Sequence, residues 1–368
     1  MKIKVLYYLN NLGIGGTEKT AVLFAEHLDR SKFQVYFAYQ EAGDQTRLPE
    51  LLRAMTHEDD RVVGLQTKAE LKPLVERNNI DIVHVFRSGF PEFPEPAVDL
   101  HVRHFVETNV FGFFDNNVNV EKSLFMSKYL MDHTEKLMAN AGYQNLQNII
   151  DQRFDFVNNP VETPATHERM TSLAYDIDPR ATILGRVGRP DDGIYNPIAV
   201  KASWLLHSQG IPIHWLVVAP PQAMIRDLNR FAVPYTAIDP TVDADLLSRA
   251  YNSMHIYAHF RADGETFGVN IAEAMIHKLP VVTHRAIATV TGMGVFQSQL
   301  ELVDDGKTGY HVFGNSHVEY ADALRKLIEN PEDIVSFGEN GFNKAIREYH
   351  VTPVVKKLEG VYEEITNV

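Results

Sequence analysis

The sequence predicts two doubly wound α/β domains in tandem. Three observations carry this. At 368 residues the chain exceeds what one ordinary hydrophobic core organises, so two domains of roughly 150 to 200 residues are expected. Short apolar runs alternate with longer helical patterns, as in a parallel sheet covered by helices, and the alternation occurs twice. Between the two occurrences, residues 158 to 180 hold three prolines and little periodicity, which marks the crossing between domains.

In the first half the expected strands are Lys4 to Leu9, Gln34 to Tyr39, Asp81 to Phe86 and His101 to Glu107. Between the first two, Ala21, Phe24, Ala25 and Leu28 recur at the spacing of an amphipathic helix. In the second half "ATILGR", "IHWLVVA", "MHIYAHF" and "PVVTH" read as strands, separated by helical segments such as Asp245 to Tyr251. The tail "TPVVKKLEGVYEEI" places Val355, Leu358, Val361 and Ile365 on one helical face. Two such domains imply a ligand cleft where the C-terminal ends of strands and the N-termini of helices converge.

Composition narrows the function. Hydrophobic residues make up 45% and charged ones 23%, the balance of an ordinary globular protein. A formal net charge of -13 argues against non-specific binding to nucleic acid, while leaving room for small phosphorylated ligands held by local arginines. The chain has no cysteine, which excludes disulfides, thiolate metal sites and a cysteine nucleophile, and fits a reducing compartment. The opening "MKIKVLYYLNNLGIGG" has too short an apolar run for a signal-peptide core and reads as a first strand. No stretch approaches the roughly 20 apolar residues that cross a bilayer, so a cytoplasmic chain, at most peripheral to a membrane, is expected.

The chemistry concentrates in "GETFGVNIAEAM", residues 264 to 275. It follows one expected strand and precedes another, so it reads as a turn with Gly264 and Gly268 followed by a helix. Such a turn aims backbone N–H groups and the positive end of a helix dipole at a ligand, a ready site for phosphate. Glu265 would sit in the turn and Glu273 about two turns into the helix. One carboxylate could then meet a sugar while the other accepts the hydroxyls of a ribose. The plainer alternative makes Glu265 a helix N-terminal acid and Glu273 a surface residue.

Other patterns are weaker. "GIGGTE" places Gly15 and Gly16 after the first strand, where glycine lets backbone approach a ligand closely, but it lacks the third glycine of a dinucleotide fingerprint. The acidic pairs Asp176 with Asp178 and Asp243 with Asp245 follow no convincing strand, and the second suits a helix N-cap. No histidine pair stands at metal-ligand spacing beside an acid, so no metal site is inferred.

The paired-glutamate stretch resembles the signature of retaining glycosyltransferases of family 4, whose fold is GT-B: two Rossmann-like doubly wound domains facing across a cleft. "EAMIHKLPVVTH", "ELVDDGKTGYHV", "NNLGIGGTEKTAVLFAEHL" and "NNIDIVHVF" are similar to that family's motifs and occur in the same order. The resemblance implies an acceptor-side domain over 1–165, rejoined by the helix at 352–368, and a donor domain over 166–351. It implies transfer of a sugar from a nucleotide-diphosphate sugar to a hydroxyl acceptor, with no cofactor and no metal. Glu265 would contact the donor sugar, Glu273 the ribose, and Thr266, Phe267, Gly268 and Val269 would complete the donor site with Gly15 and Gly16. In "LGRVGRPDDG" Arg186 matches the arginine that neutralises the leaving diphosphate, whereas Asp192 stands where the family has a lysine. A carboxylate beside a leaving diphosphate would raise the barrier, so either Arg189 substitutes as the cation, which is the favoured reading, or the loop points away, or the enzyme is weak. Asn109 stands near the point where the family presents a histidine to the transferred sugar, and could contact sugar or acceptor; His104 reads as packing. A nucleotide-sugar epimerase and a non-catalytic nucleotide-sugar or glycan-binding protein stay open as alternatives.

Overall fold

A computed structural model of the chain describes residues 2–90, 100, 102–170, 177–287 and 294–367. It divides into two compact units, Met1–Pro160 with Val351–Val368, and Val161–His350.

The first unit is built on a parallel sheet of seven strands: β1 (Ile3–Leu9), β2 (Phe33–Gln40), β3 (Arg61–Leu65), β4 (Ile82–Arg87), β5 (His104–Asn109), β6 (Lys122–Phe125) and β7 (Phe154–Phe156). Their order is β3-β2-β1-β4-β5-β6-β7, so the winding reverses between β1 and β4. β1 is buried along almost its whole length, because a parallel sheet is covered on both faces. Its register is Leu6 opposite Tyr36 on one side and Val83 on the other. The helices are α1 (Gly16–His27), α2 (Leu48–Ala54), α3 (Leu71–Asn78), α4 (Lys128–Asn140) and α5 (Leu146–Arg153).

The second unit repeats the plan with β8 (Thr182–Val187), β9 (Ile213–Val218), β10 (Tyr235–Ile238), β11 (Ile256–Ala258), β12 (Val281–His284) and β13 (Gly309–Val312). The order β10-β9-β8-β11-β12-β13 reverses between β8 and β11, and every pairing is parallel. Its helices are α6 (Ile198–Ser208), α7 (Gln222–Arg230), α8 (Ala244–Ser253), α9 (Val269–Ile276), α10 (Gln299–Leu302), α11 (His317–Glu329) and α12 (Pro331–Glu348). Trp215 on β9 is fully buried and donates from its indole to Ser203 Oγ on α6 at 2.9 Å, which satisfies the one polar atom that its burial would strand.

The last helix, α13 (Val351–Thr366), belongs to the first unit. Val355, Leu358, Val361 and Ile365 all lie in the core beneath β1 and α1, as their spacing predicts. Tyr362 fastens the helix: its hydroxyl meets His84 Nδ1 at 2.5 Å and Tyr7 at 3.1 Å, while His84 Nε2 meets Thr108 Oγ1 at 2.8 Å. Burial holds the His84 imidazole neutral, with a pKa pushed down to about 3.

Several expectations need correction. The chain changes units after Pro160, earlier than 165, and the described part of the proline-containing segment is bonded to the second unit. Val161 N–H donates to the Tyr349 carbonyl, and the Ala165 and Met170 N–H groups donate to Ser248 and Ser253 on α8. β5 begins at His104, not His101, which lies outside the described residues together with Asp176. Asp243 is the N-cap of α8, accepting from Asp245 and Leu246, so that acidic pair has a structural role. β3, β6, β7, β10 and β13 were not expected from sequence: they are three to five residues long, and too short for a periodic signal.

Candidate active site

In a doubly wound sheet, ligands bind beyond the C-terminal ends of the strands where the winding reverses. In the second unit that point lies between β8 and β11, and Arg186 and the turn with Glu265 stand there. β8 ends with Arg186 and Val187. β11 leads into the turn 259–268, which opens α9.

The turn is shaped by two glycines. Gly264 has φ +74°, and a Cβ there would stand 1.8 Å from the Phe296 carbonyl oxygen. Gly268 has φ +102° and precedes α9, whose eight residues receive no side-chain cap. The Ile271 and Ala272 N–H groups donate to the Gly268 carbonyl, which leaves the Val269 and Asn270 N–H groups at the helix start for an anion. The Glu265 N–H donates to the buried Gln299 Oε1 at 3.0 Å, and Ser298 donates to the Glu265 and Thr266 carbonyls, so α10 and its cap hold the turn from behind.

Glu265 points into a cluster of opposite charge. Its carboxylate meets His259 Nε2 at 3.1 Å and Arg261 at 3.5 Å, and its side chain is 13% exposed. Burial pushes its pKa up, but the Arg261 charge, the His259 bond and the Arg189 charge outweigh burial and hold it below the ordinary value. Arg261 is shared with Asp263 at 2.7 Å. His259 Nδ1 meets Thr283 at 2.8 Å. Behind it, His284 accepts from the Arg261 N–H, and its Nδ1 faces the Arg285 carbonyl. Burial and the neighbouring His259 push the His284 pKa down to about 4, so it is a neutral Nδ1–H imidazole.

Arg186 lies beside this cluster with only 6% of its surface exposed. Its guanidinium stacks over Phe260 at 5.3 Å, and Nη1 is buried without a hydrogen-bond partner among the described residues. It forms no ion pair among the described residues, and burial lowers its pKa. Such a cation stands ready for an anion that arrives with a ligand. The loop after β8 covers the turn: the Ala262 N–H donates to the Ile194 carbonyl, and the charges of Asp191 and Arg189 act on Arg261 and Glu265. Arg189 is exposed and makes no ion pair among the described residues.

Asp192 does not face this cluster. It accepts from the Ala223 N–H at 2.8 Å and pairs with Arg226 at 3.1 Å, capping α7. Glu273 meets the Tyr251 hydroxyl at 2.8 Å. Burial, then the Glu273 charge, raises the Tyr251 pKa well above its ordinary value, so this phenol is a donor.

Two expected contacts are corrected. Phe267 is 1% exposed and packs edge-on against Tyr349 at 5.5 Å, so its ring anchors the turn to α12 instead of facing a donor. Asn109 is 1% exposed and spends both amide ends on its own loop, accepting from Gly112 at 2.7 Å and donating to the Phe113 carbonyl. His104 pairs with Glu121 at 2.8 Å. Thr266 and Val269 lie half-buried at the turn and at the start of α9. Gly15 and Gly16 open α1 after β1 in the first unit, with the Glu18 carboxylate folded back onto Gly15. His259, Arg261 and Gln299 were not expected; the one signal in sequence is the opposite charge of Arg261 four residues before Glu265.

The architecture is GT-B: two Rossmann-like parallel-sheet domains, the second with a charged, anion-ready switch point. Residues 240–344 match the family described as glycosyl transferases group 1. Over 101 residues the chain is 31% identical to the alpha-D-kanosaminyltransferase of Streptomyces kanamyceticus, an alignment covering 27% of this chain and 24% of that protein. A glycosyltransferase from Rickettsia africae ESF-5 superposes with a TM-score of 0.76 at 17% identity, over 99% of each chain. Anabaena HepE, solved with UDP and glucose, superposes with a TM-score of 0.72 at 15% identity, over 98% of this chain and 100% of that one. Among the described residues no helix is long and apolar enough to cross a membrane.

Proposed function

We propose that this chain is a retaining glycosyltransferase that moves a sugar from a nucleotide-diphosphate sugar to a hydroxyl acceptor. One observation carries the reading: a buried, unpaired arginine, Arg186, stands beside the turn that opens α9, at the switch point of the second sheet. The kanosaminyltransferase name and the UDP and glucose of HepE point to the same ligand class.

In this reading the diphosphate lies between Arg186 and the start of α9, with Arg189 above it. The bond from the anomeric carbon to the diphosphate oxygen breaks, and a bond to the acceptor oxygen forms on the same face. The acceptor proton passes to the departing phosphate oxygen. Negative charge grows on that oxygen as the bond breaks, so the two arginines and the helix dipole stabilise the transition state more than the ground state. Glu265, held ionised, accepts from hydroxyls of the donor sugar, and Glu273 accepts from the ribose. The arginines and dipole leave no need for a divalent cation at the diphosphate, and no cofactor takes part.

The test is transfer by purified protein over a panel of nucleotide sugars and hydroxyl acceptors, with the anomeric configuration of donor and product read by NMR. Expected is a retained configuration and a rate unchanged by chelator. Inversion, or activity lost to chelator and restored by manganese, counts against the mechanism. Nucleotide-sugar binding with neither transfer nor hydrolysis favours a binding protein.

A further inference from the structure

Asn270 lies in the first turn of α9 and ties the helix to β8. Its Nδ2 donates to the Val187 carbonyl at 3.0 Å. The same carbonyl accepts from the Tyr257 hydroxyl at 2.9 Å. A carbonyl only accepts, so this bond fixes the orientation of the amide: turning it over would set two oxygens against each other. Oδ1 is consequently the end that is left, and it is buried with no hydrogen-bond partner among the described residues. A stranded acceptor of this kind costs free energy unless a donor reaches it.

The neighbours show what kind of donor. Asn270 and Glu273 are three residues apart on α9 and share one side of the helix. Tyr251 holds this side of the helix, donating to the Glu273 carboxylate at 2.8 Å and reaching the main-chain carbonyl of Asn270 at 3.4 Å. Two side-chain acceptors thus lie on one side of α9, with Asn270 tied to the end of β8. Adjacent acceptors match adjacent donors, and a vicinal diol supplies two.

We infer that Asn270 Oδ1 is a second acceptor beside Glu273 for the 2′,3′-diol of the donor's ribose, and that it makes the site select ribonucleotides over deoxynucleotides. This rests on the nucleotide-sugar reading above. Asn270 is then a specificity residue, and its bond to Val187 sets the aim of the free oxygen.

The experiment is calorimetric or thermal-shift titration of the full chain with UDP, GDP and ADP, then of the tightest binder against its 2′-deoxy and 3′-deoxy forms. Wild type is expected to prefer the ribonucleotide over both. Asn270→Ala should shrink the preference at one of the two hydroxyls by about threefold to tenfold, the worth of one neutral hydrogen bond, while affinity for the matching deoxy form changes little. Asn270→Ser, whose hydroxyl can both donate and accept, should keep part of the preference, and melting without nucleotide reports whether either variant is folded. If Asn270→Ala weakens ribo and deoxy forms equally, or if wild type binds them alike, Asn270 only fastens α9 and the inference is wrong. If no nucleotide binds wild type, the nucleotide-sugar reading fails first and this assignment falls with it.

Discussion

Asp192 and Arg226 form an ion pair of 3.1 Å at the start of α7, where Asp192 also accepts from the Ala223 N–H. The pair removes the conflict that the sequence raises at this position. The helix N–H holds the Asp192 carboxyl below its ordinary pKa, with Arg226 adding to the effect, so the charge is spent on α7 and not on a leaving diphosphate. Asp192→Lys should therefore lower the melting temperature, by removing a cap and setting a cation against Arg226 and the helix dipole. Turnover should not rise. Asp192→Asn, which can still accept, should melt close to wild type. A faster Asp192→Lys enzyme would show that the missing lysine matters after all.

With Asp192 occupied elsewhere, the proposed mechanism assigns the cationic work to Arg186 and Arg189, which differ in burial. Arg186→Ala removes a desolvated cation and should weaken nucleoside diphosphate binding by about ten- to a hundredfold, the worth of a charged hydrogen bond of roughly 1.5 to 3 kcal/mol. Arg189 is exposed, so Arg189→Ala should lower turnover more than affinity, and the deficit should shrink as salt rises. Titration and initial rates at two ionic strengths separate the two effects. An Arg189→Ala enzyme with wild-type turnover would remove this residue from the mechanism.

The central strands were legible because parallel strands covered on both faces read as largely apolar runs, and β1, β4, β8 and β9 are of that kind. Glu265 and Glu273 were legible because a glycine turn between strand and helix fixes where they go. The partners of Glu265 were not. Arg261, His259 and Gln299 reach it through a turn and through α10, and no local spacing encodes that convergence. Asn270 stayed hidden for the same reason, since its meaning comes from the Val187 carbonyl on another element. Asn109 and Phe267 misled because position in a motif does not say which way a side chain turns.

The clamp between α13 and the first sheet should make stability depend on pH. His84 titrates at about 3 when folded and near 6.5 when unfolded. Between those values the unfolded chain binds the extra proton, so stability is full above about 6.5 and declines as pH falls toward 3, by at most about 1.4 kcal/mol per pH unit for one group. His284, pushed to about 4, adds a decline of the same sign. His84→Gln should be less stable at neutral pH, because the Tyr362 bond is remade poorly, but its melting temperature should fall less steeply between pH 6.5 and 4. Parallel slopes for variant and wild type would contradict the assignment of a buried neutral imidazole.

The last prediction separates a working carboxylate from a structural one at Glu265. Its low pKa rests on Arg261, with His259 and Arg189 helping, against the opposing effect of burial. Arg261→Met removes the largest lowering influence and leaves burial less opposed, so the Glu265 pKa should rise. If Glu265 must be ionised to hold the donor sugar, the acid limb of the kcat/KM profile should move to higher pH in Arg261→Met, while rates on the alkaline side change less. Glu265→Gln keeps the shape of the side chain and a polar contact for His259, but it has no charge to lose. It should react slowly at every pH with no acid limb from this group, and it should bind the bare nucleoside diphosphate nearly as wild type does, because the proposed mechanism gives the diphosphate and ribose contacts to other residues. Equal loss of nucleotide binding and turnover in Glu265→Gln, with an unmoved acid limb in Arg261→Met, would make Glu265 a brace of the turn and leave the sugar contact to be sought elsewhere.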